Sequence, residues 1–139
     1  MMPRDRYTVS LPIPSRKLSP NGRLHHYARA QANKNARYWG KMATLAAMSP
    51  TTNNSRPMWQ EAEVTIRVVK PNKRNIMDDQ NLIAACKAYI DGICDAGLMA
   101  NDKGLRWGPV TWDVEPGIAK NKERVELTFV CLRPGIVCD

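Results

Sequence analysis

The chain has 139 residues, 43% of them hydrophobic, which suits one ordinary core in a single domain spanning 1–139 and excludes a multidomain assembly. No apolar run reaches the roughly 18 to 20 residues of a membrane span, and MMPRDRYTVS lacks a secretion-type apolar stretch, so a soluble, cytoplasmic protein is expected. The net charge of +8 is unevenly placed: residues 1–74 hold 14 Lys/Arg against three Asp/Glu, and residues 75–139 hold seven against ten, which points to a polyanionic partner approached by a basic half.

Tyr7 to Ile13 alternates, is rich in β-formers and ends among Pro12 and Pro14, the signature of a first strand, at an edge. Ser15 to His26 follows as a loop with an Asn21-Gly22 turn signal and basic side chains, including Arg16, Lys17 and Arg23, suited to phosphate contacts or to a solvated connector. From Tyr27 to Met48, Ala32, Ala36, Trp39, Ala43 and Ala47 recur at helical spacing, with Arg29, Lys34, Arg37 and Lys41 mostly elsewhere on the wheel, predicting a long basic amphipathic helix. Glu61 to Val69 alternates as a second strand with Ala62, Val64, Ile66 and Val68 on one face. Lys70 to Asn75 breaks it, adding Lys70, Lys73 and Arg74 as candidate DNA contacts.

A second helix is predicted from Asp79 to Ala96, with Leu82, Ala85, Cys86, Tyr89, Ile93 and Ala96 on one stripe. Asp78 or Asp79 caps its start and Gly97 stops it. Val110 to Val114 and Val125 to Leu132 read as two further strands around a turn. The elements predict an α+β domain with a mixed or antiparallel sheet of about four strands and two main helices. Cys86, Cys94, Cys131 and Cys138 make no CxxC pair and no zinc-like grouping with His25 and His26; reduced thiols are expected, and the histidines read as polar surface. Trp39, Trp59, Trp107 and Trp112 read as core or interface residues rather than DNA-opening wedges.

Phosphodiester hydrolysis needs an activated water and a stabilised leaving oxygen, and carboxylate-held Mg²⁺ supplies both. Asp78 and Asp79 stand where a basic loop meets the second helix, Asp91 lies along it and Asp102 follows it. At ~100° per residue, Gln80, Lys87 and Asp91 fall within roughly 40° of one another, opposite the apolar stripe. Such a polar ridge, led by a helix N-terminus that favours anions, can receive a scissile phosphate, with Lys87 stabilising its charge. The same residues also fit a helix cap and an ordinary i,i+4 ion pair.

The string DDQNLIAACKAYIDGICDAGLMAND, Asp78 to Asp102, resembles the RusA family of Holliday-junction resolvases, particularly its phage-type members. Asp78, Gln80, Asn81, Leu82, Lys87, Asp91, Gly92 and the Asn101-Asp102 pair match its ordered motif, and Leu11 to Pro14 with Ser19 to His26 resemble a second motif block. The resemblance implies a RusA-like fold and a homodimeric, Mg²⁺-dependent endonuclease, with Mn²⁺ as a substitute ion. Such an enzyme places paired nicks across four-way DNA junctions in recombination and repair, leaving 5′-phosphates and 3′-hydroxyls. It further implies Asp78 and Asp102 as metal ligands, Lys87 as catalytic and Asp91 as supporting. Gln80 stands where the family has a second aspartate, and a neutral amide is a weaker Mg²⁺ ligand that cannot act as a base. Either Asp79 takes over that catalytic and metal-binding duty, or the protein binds junctions while cutting them poorly.

Overall fold

The computed structural model describes residues 6–14, 26–48, 58–73 and 78–135, with His26 and Tyr27 described by their backbone alone. Alternating burial builds the sheet. In β1 (Arg6–Leu11), Tyr7, Val9 and Leu11 are buried while Arg6, Thr8 and Ser10 are exposed, the period-two pattern of a strand covered on one face. The strand stops at Leu11, earlier than the expected Ile13, because Pro12 has no N–H to extend the ladder with its neighbour. Strand β2 (Glu61–Lys70) buries Ala62, Val64, Ile66 and Val68 in the same way, and β4 (Arg124–Arg133) buries Val125, Leu127 and Phe129.

The strands lie in the order β1-β4-β2-β3, where β3 is Leu105–Val114. Antiparallel pairing joins β1 to β4 and β4 to β2, and β2 and β3 run parallel, so the sheet is mixed and β1 is indeed an edge. A parallel pair needs a crossover, which helix α2 (Asp79–Asp95) supplies between β2 and β3. Strands β3 and β4, consecutive in sequence, are therefore separated by β2. Strand β3 begins at Leu105 rather than at the expected Val110. Gly108 and Pro109 hide its first half in the sequence, but they sit where the register slips, between Val64↔Trp107 and Ile66↔Val110, on an outer strand that tolerates proline.

Helix α1 (His26–Met48) and α2 add their buried sides to one core with the sheet. Every residue of the expected stripe on α2 is buried: Leu82, Ala85, Cys86, Tyr89, Ile93 and Ala96. The Tyr89 hydroxyl donates to the Pro12 carbonyl at 2.8 Å, tying α2 to the end of β1. On α1 the expected stripe needs correction. Ala36 is buried and Ala32, Ala43 and Ala47 are half-buried, but Trp39 is 55% exposed. The buried line runs instead through Ala36, Gly40, Thr44 and Met48, because α1 meets α2 through glycine. A methyl group on Gly40 would overlap the Tyr89 carbonyl, and one on Gly92 would overlap the Arg37 carbonyl oxygen. Beside that crossing, the Arg37 guanidinium grips Asp95 through two bonds of 2.6 and 2.9 Å.

Of the other tryptophans, Trp59 is buried, with its ring centroid 5.7 Å from that of Tyr7, while Trp107 and Trp112 are half-buried against the core. The sheet face turned away from the helices carries charge: Arg67 pairs with Asp113 and with Glu126 at 2.8 Å, and Arg124 reaches Glu126 at 2.8 Å. Burial alone would raise the Glu126 carboxyl, but the Arg124 and Arg67 hydrogen bonds outweigh it and hold it below its ordinary value. No described helix is long and apolar enough to cross a membrane.

The glycine crossing gives a direct prediction. Gly92→Ala places its methyl against main chain that no rotamer change can clear, so urea unfolding should show a loss of about 3 kcal/mol. Ala84→Gly, at a half-buried α2 position, should cost only about 1 kcal/mol.

Candidate functional site

The acidic segment begins at the N-terminus of α2. Asp78 has extended backbone angles and is the helix cap: its Oδ1 accepts the Asn81 backbone N–H at 2.8 Å and its Oδ2 accepts the Asn81 side-chain amide at 2.9 Å. Asn81 thus holds both oxygens and fixes the carboxylate's orientation. Asp79 occupies the first helical turn, where a negative charge meets the favourable end of the helix dipole. Asp78, Asp79 and Gln80 are all exposed.

Along the helix, Lys87 and Asp91 are exposed too, as the wheel requires, while their apolar neighbours Cys86, Ala88, Tyr89 and Ile90 are buried. Among the described residues Lys87 and Asp91 form no ion pair, so both heads remain available to solvent or ligand. The helix closes at Ala96, and Gly97 follows with φ 94°, the left-handed conformation that stops a helix.

Asp102 opens a short 3-10 turn, Asp102–Gly104, directly before β3. Asn101 caps that turn by accepting the Lys103 backbone N–H at 2.9 Å. Around this end of α2 gather Asp91, Asp95 and Asp102, close enough to Cys94 that, after burial itself, their charges help push its thiol up to about 11. Burial pushes Cys86 up to about 12, so at neutral pH both thiols are protonated and neither is a ready metal ligand.

The two expected metal-binding groups therefore stand at opposite ends of one helix. The 17 residues of α2, Asp79–Asp95, carry the chain from the Asp78 cap through a rise of roughly 25 Å, and Asp102 lies beyond, at the start of β3. Two oxygens on one Mg²⁺ sit at most about 4 Å apart. Asp78 and Asp79 are adjacent at the helix start, and Asp91 and Asp102 both lie near Cys94, but the two sets are not brought together within one chain. Among the described residues no three His, Cys, Asp or Glu side chains are grouped to hold a metal ion. A single-ion site using both Asp78 and Asp102 thus does not fit one protomer.

Of the cations expected to meet DNA, Lys70 ends β2 and Lys73 is exposed just after it, at the sheet end from which the chain enters α2. Arg16, Lys17, Arg23 and Arg74 lie outside the described residues, as do His25 and Cys138; only the backbone of His26 is described. Two features escaped the sequence reading. Arg37 and Asp95 pair across the helices, which no spacing within either helix announces, and Tyr38, Trp39 and Met42 are exposed on α1. The signal for the second was present in Gly40, which contributes nothing to a hydrophobic count yet marks the close contact.

The fold and the ridge define an α+β protein with a parallel β-α-β unit whose crossover helix carries the acidic segment. No known family profile matches the chain. It is 37% identical to an uncharacterized protein of Xylella fastidiosa (strain Temecula1 / ATCC 700964) over 89 residues, 64% of this chain and 56% of that relative. The match thus spans little more than half the length of that relative.

Cap and charge at Asp78 can be separated by substitution. Asp78→Ala should destabilise the protein by about 1 kcal/mol through loss of the cap, whereas Asp78→Asn, an equally good cap, should leave the thermal midpoint nearly unchanged. Circular-dichroism melts of the two variants check this and make Asp78→Asn a clean probe of the carboxylate.

Proposed function

We propose that the protein is a metal-dependent, structure-selective endodeoxyribonuclease of the RusA type, nicking four-way junctions during recombination and repair in the cytoplasm of a bacterial or phage-infected cell. The observation that carries this reading is the ridge of α2: Gln80, Lys87 and Asp91 are exposed beyond an equally exposed Asp78 cap, while Leu82, Ala85, Cys86, Tyr89 and Ile90 are buried. A segment whose ordered polar residues resemble a nuclease motif thus presents them together to solvent, beside cations at the end of β2 that suit phosphate. On this reading Lys87 neutralises a phosphoryl oxygen on the ridge, and Asp91 flanks it one turn on.

The separation of Asp78 from Asp102 gives the expected homodimer a chemical purpose. If one ion is to be held by both carboxylates, Asp102 must come from the partner subunit, and a two-fold axis then creates two equivalent sites for a substrate of similar symmetry. Mg²⁺, or Mn²⁺ in its place, supplies a nucleophilic water and counter-charge when bound.

Purified protein should nick a synthetic four-way junction in Mg²⁺, and Asp78→Asn or Asp102→Asn alone should reduce the rate by at least about a hundredfold. Mixing the two variants should then recover single nicks, since one of the two shared sites in a mixed dimer is intact. Wild-type protein that leaves the junction uncut across a range of Mg²⁺ and Mn²⁺ would sink the nuclease reading, and a silent mixture would remove the shared site.

Gln80 favours a second reading, a junction-binding protein whose cleavage is weak or lost, because an exposed amide stands where a carboxylate would add charge and basicity. Gln80→Asp separates the two. A gain of cleavage on the same junction means that the missing carboxylate limits an otherwise competent enzyme; salt-sensitive binding with no nicks from either form supports the binding protein.

A further inference from the structure

The acidic segment leaves one conspicuous surface unused. Helix α1 contains no Asp or Glu in its 23 residues, yet it carries Arg29, Lys34, Arg37 and Lys41. On its solvent side Tyr38 is 58%, Trp39 55% and Met42 42% exposed, and the Tyr38 and Trp39 rings lie edge to face with centroids 6.2 Å apart. Successive helical turns set these residues in neighbouring rows: Lys34, Tyr38 and Met42 along one, Gln31, Asn35 and Trp39 along the next. The Gln31 amide donates to Asn35 at 3.0 Å, which adds a polar border. Lys41 lies beside Tyr38 three residues on. Among the described residues neither Lys34 nor Lys41 forms an ion pair.

We infer that this face of α1 binds a single strand of nucleic acid, with bases stacked on Trp39 and Tyr38 and the backbone held by Lys34 and Lys41. Three physical arguments select that occupant. Aromatic faces offered to solvent beside cations, with no carboxylate on the helix, complement a ligand that is both flat and anionic. A duplex keeps its base faces stacked, so only an opened strand can use the rings. A second copy of α1 fits poorly, because two-fold pairing through Tyr38 and Trp39 would bring the lysines of one copy toward those of the other. Three partly exposed side chains also fall well short of the ~800 Å² per partner of a stable dimer.

The inference rests on DNA as the ligand but not on cleavage, so it is tested without divalent metal. Fluorescein-labelled oligo-dT and a duplex of equal length are titrated with the full chain by anisotropy, alongside an unlabelled four-way junction as competitor. Trp39→Ala should weaken oligo-dT binding on the order of tenfold while duplex affinity changes less than about twofold. Trp39→Phe should keep most of the affinity but lose most of the quenching of intrinsic tryptophan emission, since Trp59 is buried and Trp107 and Trp112 half-buried. Lys34→Gln with Lys41→Gln should weaken binding and flatten its salt dependence. Unchanged oligo-dT affinity in Trp39→Ala overturns the inference, as does an equal loss on duplex. So does conversion of a dimer to monomer by Trp39→Ala, which would assign the face to a second copy. If wild type binds neither oligo-dT nor the junction, the DNA reading itself falls; junction binding with a silent Trp39 removes the α1 platform alone.

Discussion

Helices α1 and α2 meet at Gly40 and Gly92, each lying against main-chain carbonyls of the other helix with no room for a side-chain carbon. Much else follows from that approach. Contact through glycine sets the rotation of α1 about its axis, turning Ala36, Gly40 and Thr44 inward and leaving Tyr38, Trp39 and Met42 outward. It brings the Arg37 guanidinium onto Asp95, joining the basic half of the chain to the acidic half at a bidentate pair. Lys87 and Asp91 of α2 still face solvent, Asp91 within electrostatic reach of Arg37 on α1. The hydrophobic stripe of α2 anchors that helix to the sheet, but the glycine pair decides which polar residues share a surface.

Most of the architecture was legible in the chain. Period-two burial in β1, β2 and β4 and the α2 stripe are direct consequences of side-chain spacing, and they appear at or near the expected residues. Three things were hidden, for different reasons. The first half of β3 was masked by Gly108 and Pro109, residues that weaken a strand locally but are tolerated at a register slip on an outer strand. The placement of β2 between β3 and β4 depends on long-range pairing, which local pattern does not encode. Trp39 lies outside the buried line of α1 because the small Gly40, which no hydrophobic pattern marks, takes the contact with α2.

The candidate site was legible residue by residue but not as an assembly. Exposure of Gln80, Lys87 and Asp91 and the capping function of Asp78 follow from helical geometry. What the sequence concealed was distance: residues close in a motif are divided by a rigid rod of roughly 25 Å. A helix between two motif blocks separates them as surely as a loop of that length could bring them together. For Asp78 and Asp102 this turns a question about ligands into one about subunits.

The irregular stretch of β3 bears on how copies of this protein can meet. An outer strand ordinarily offers a row of N–H and C=O groups on which another chain can grow. Pro109 brings no N–H to that row, and the register slips beside it, which breaks the regular spacing a newcomer would need. Growth of one continuous sheet through β3 is therefore discouraged, which guards against fibrous stacking and steers assembly of this protein toward surfaces made of side chains.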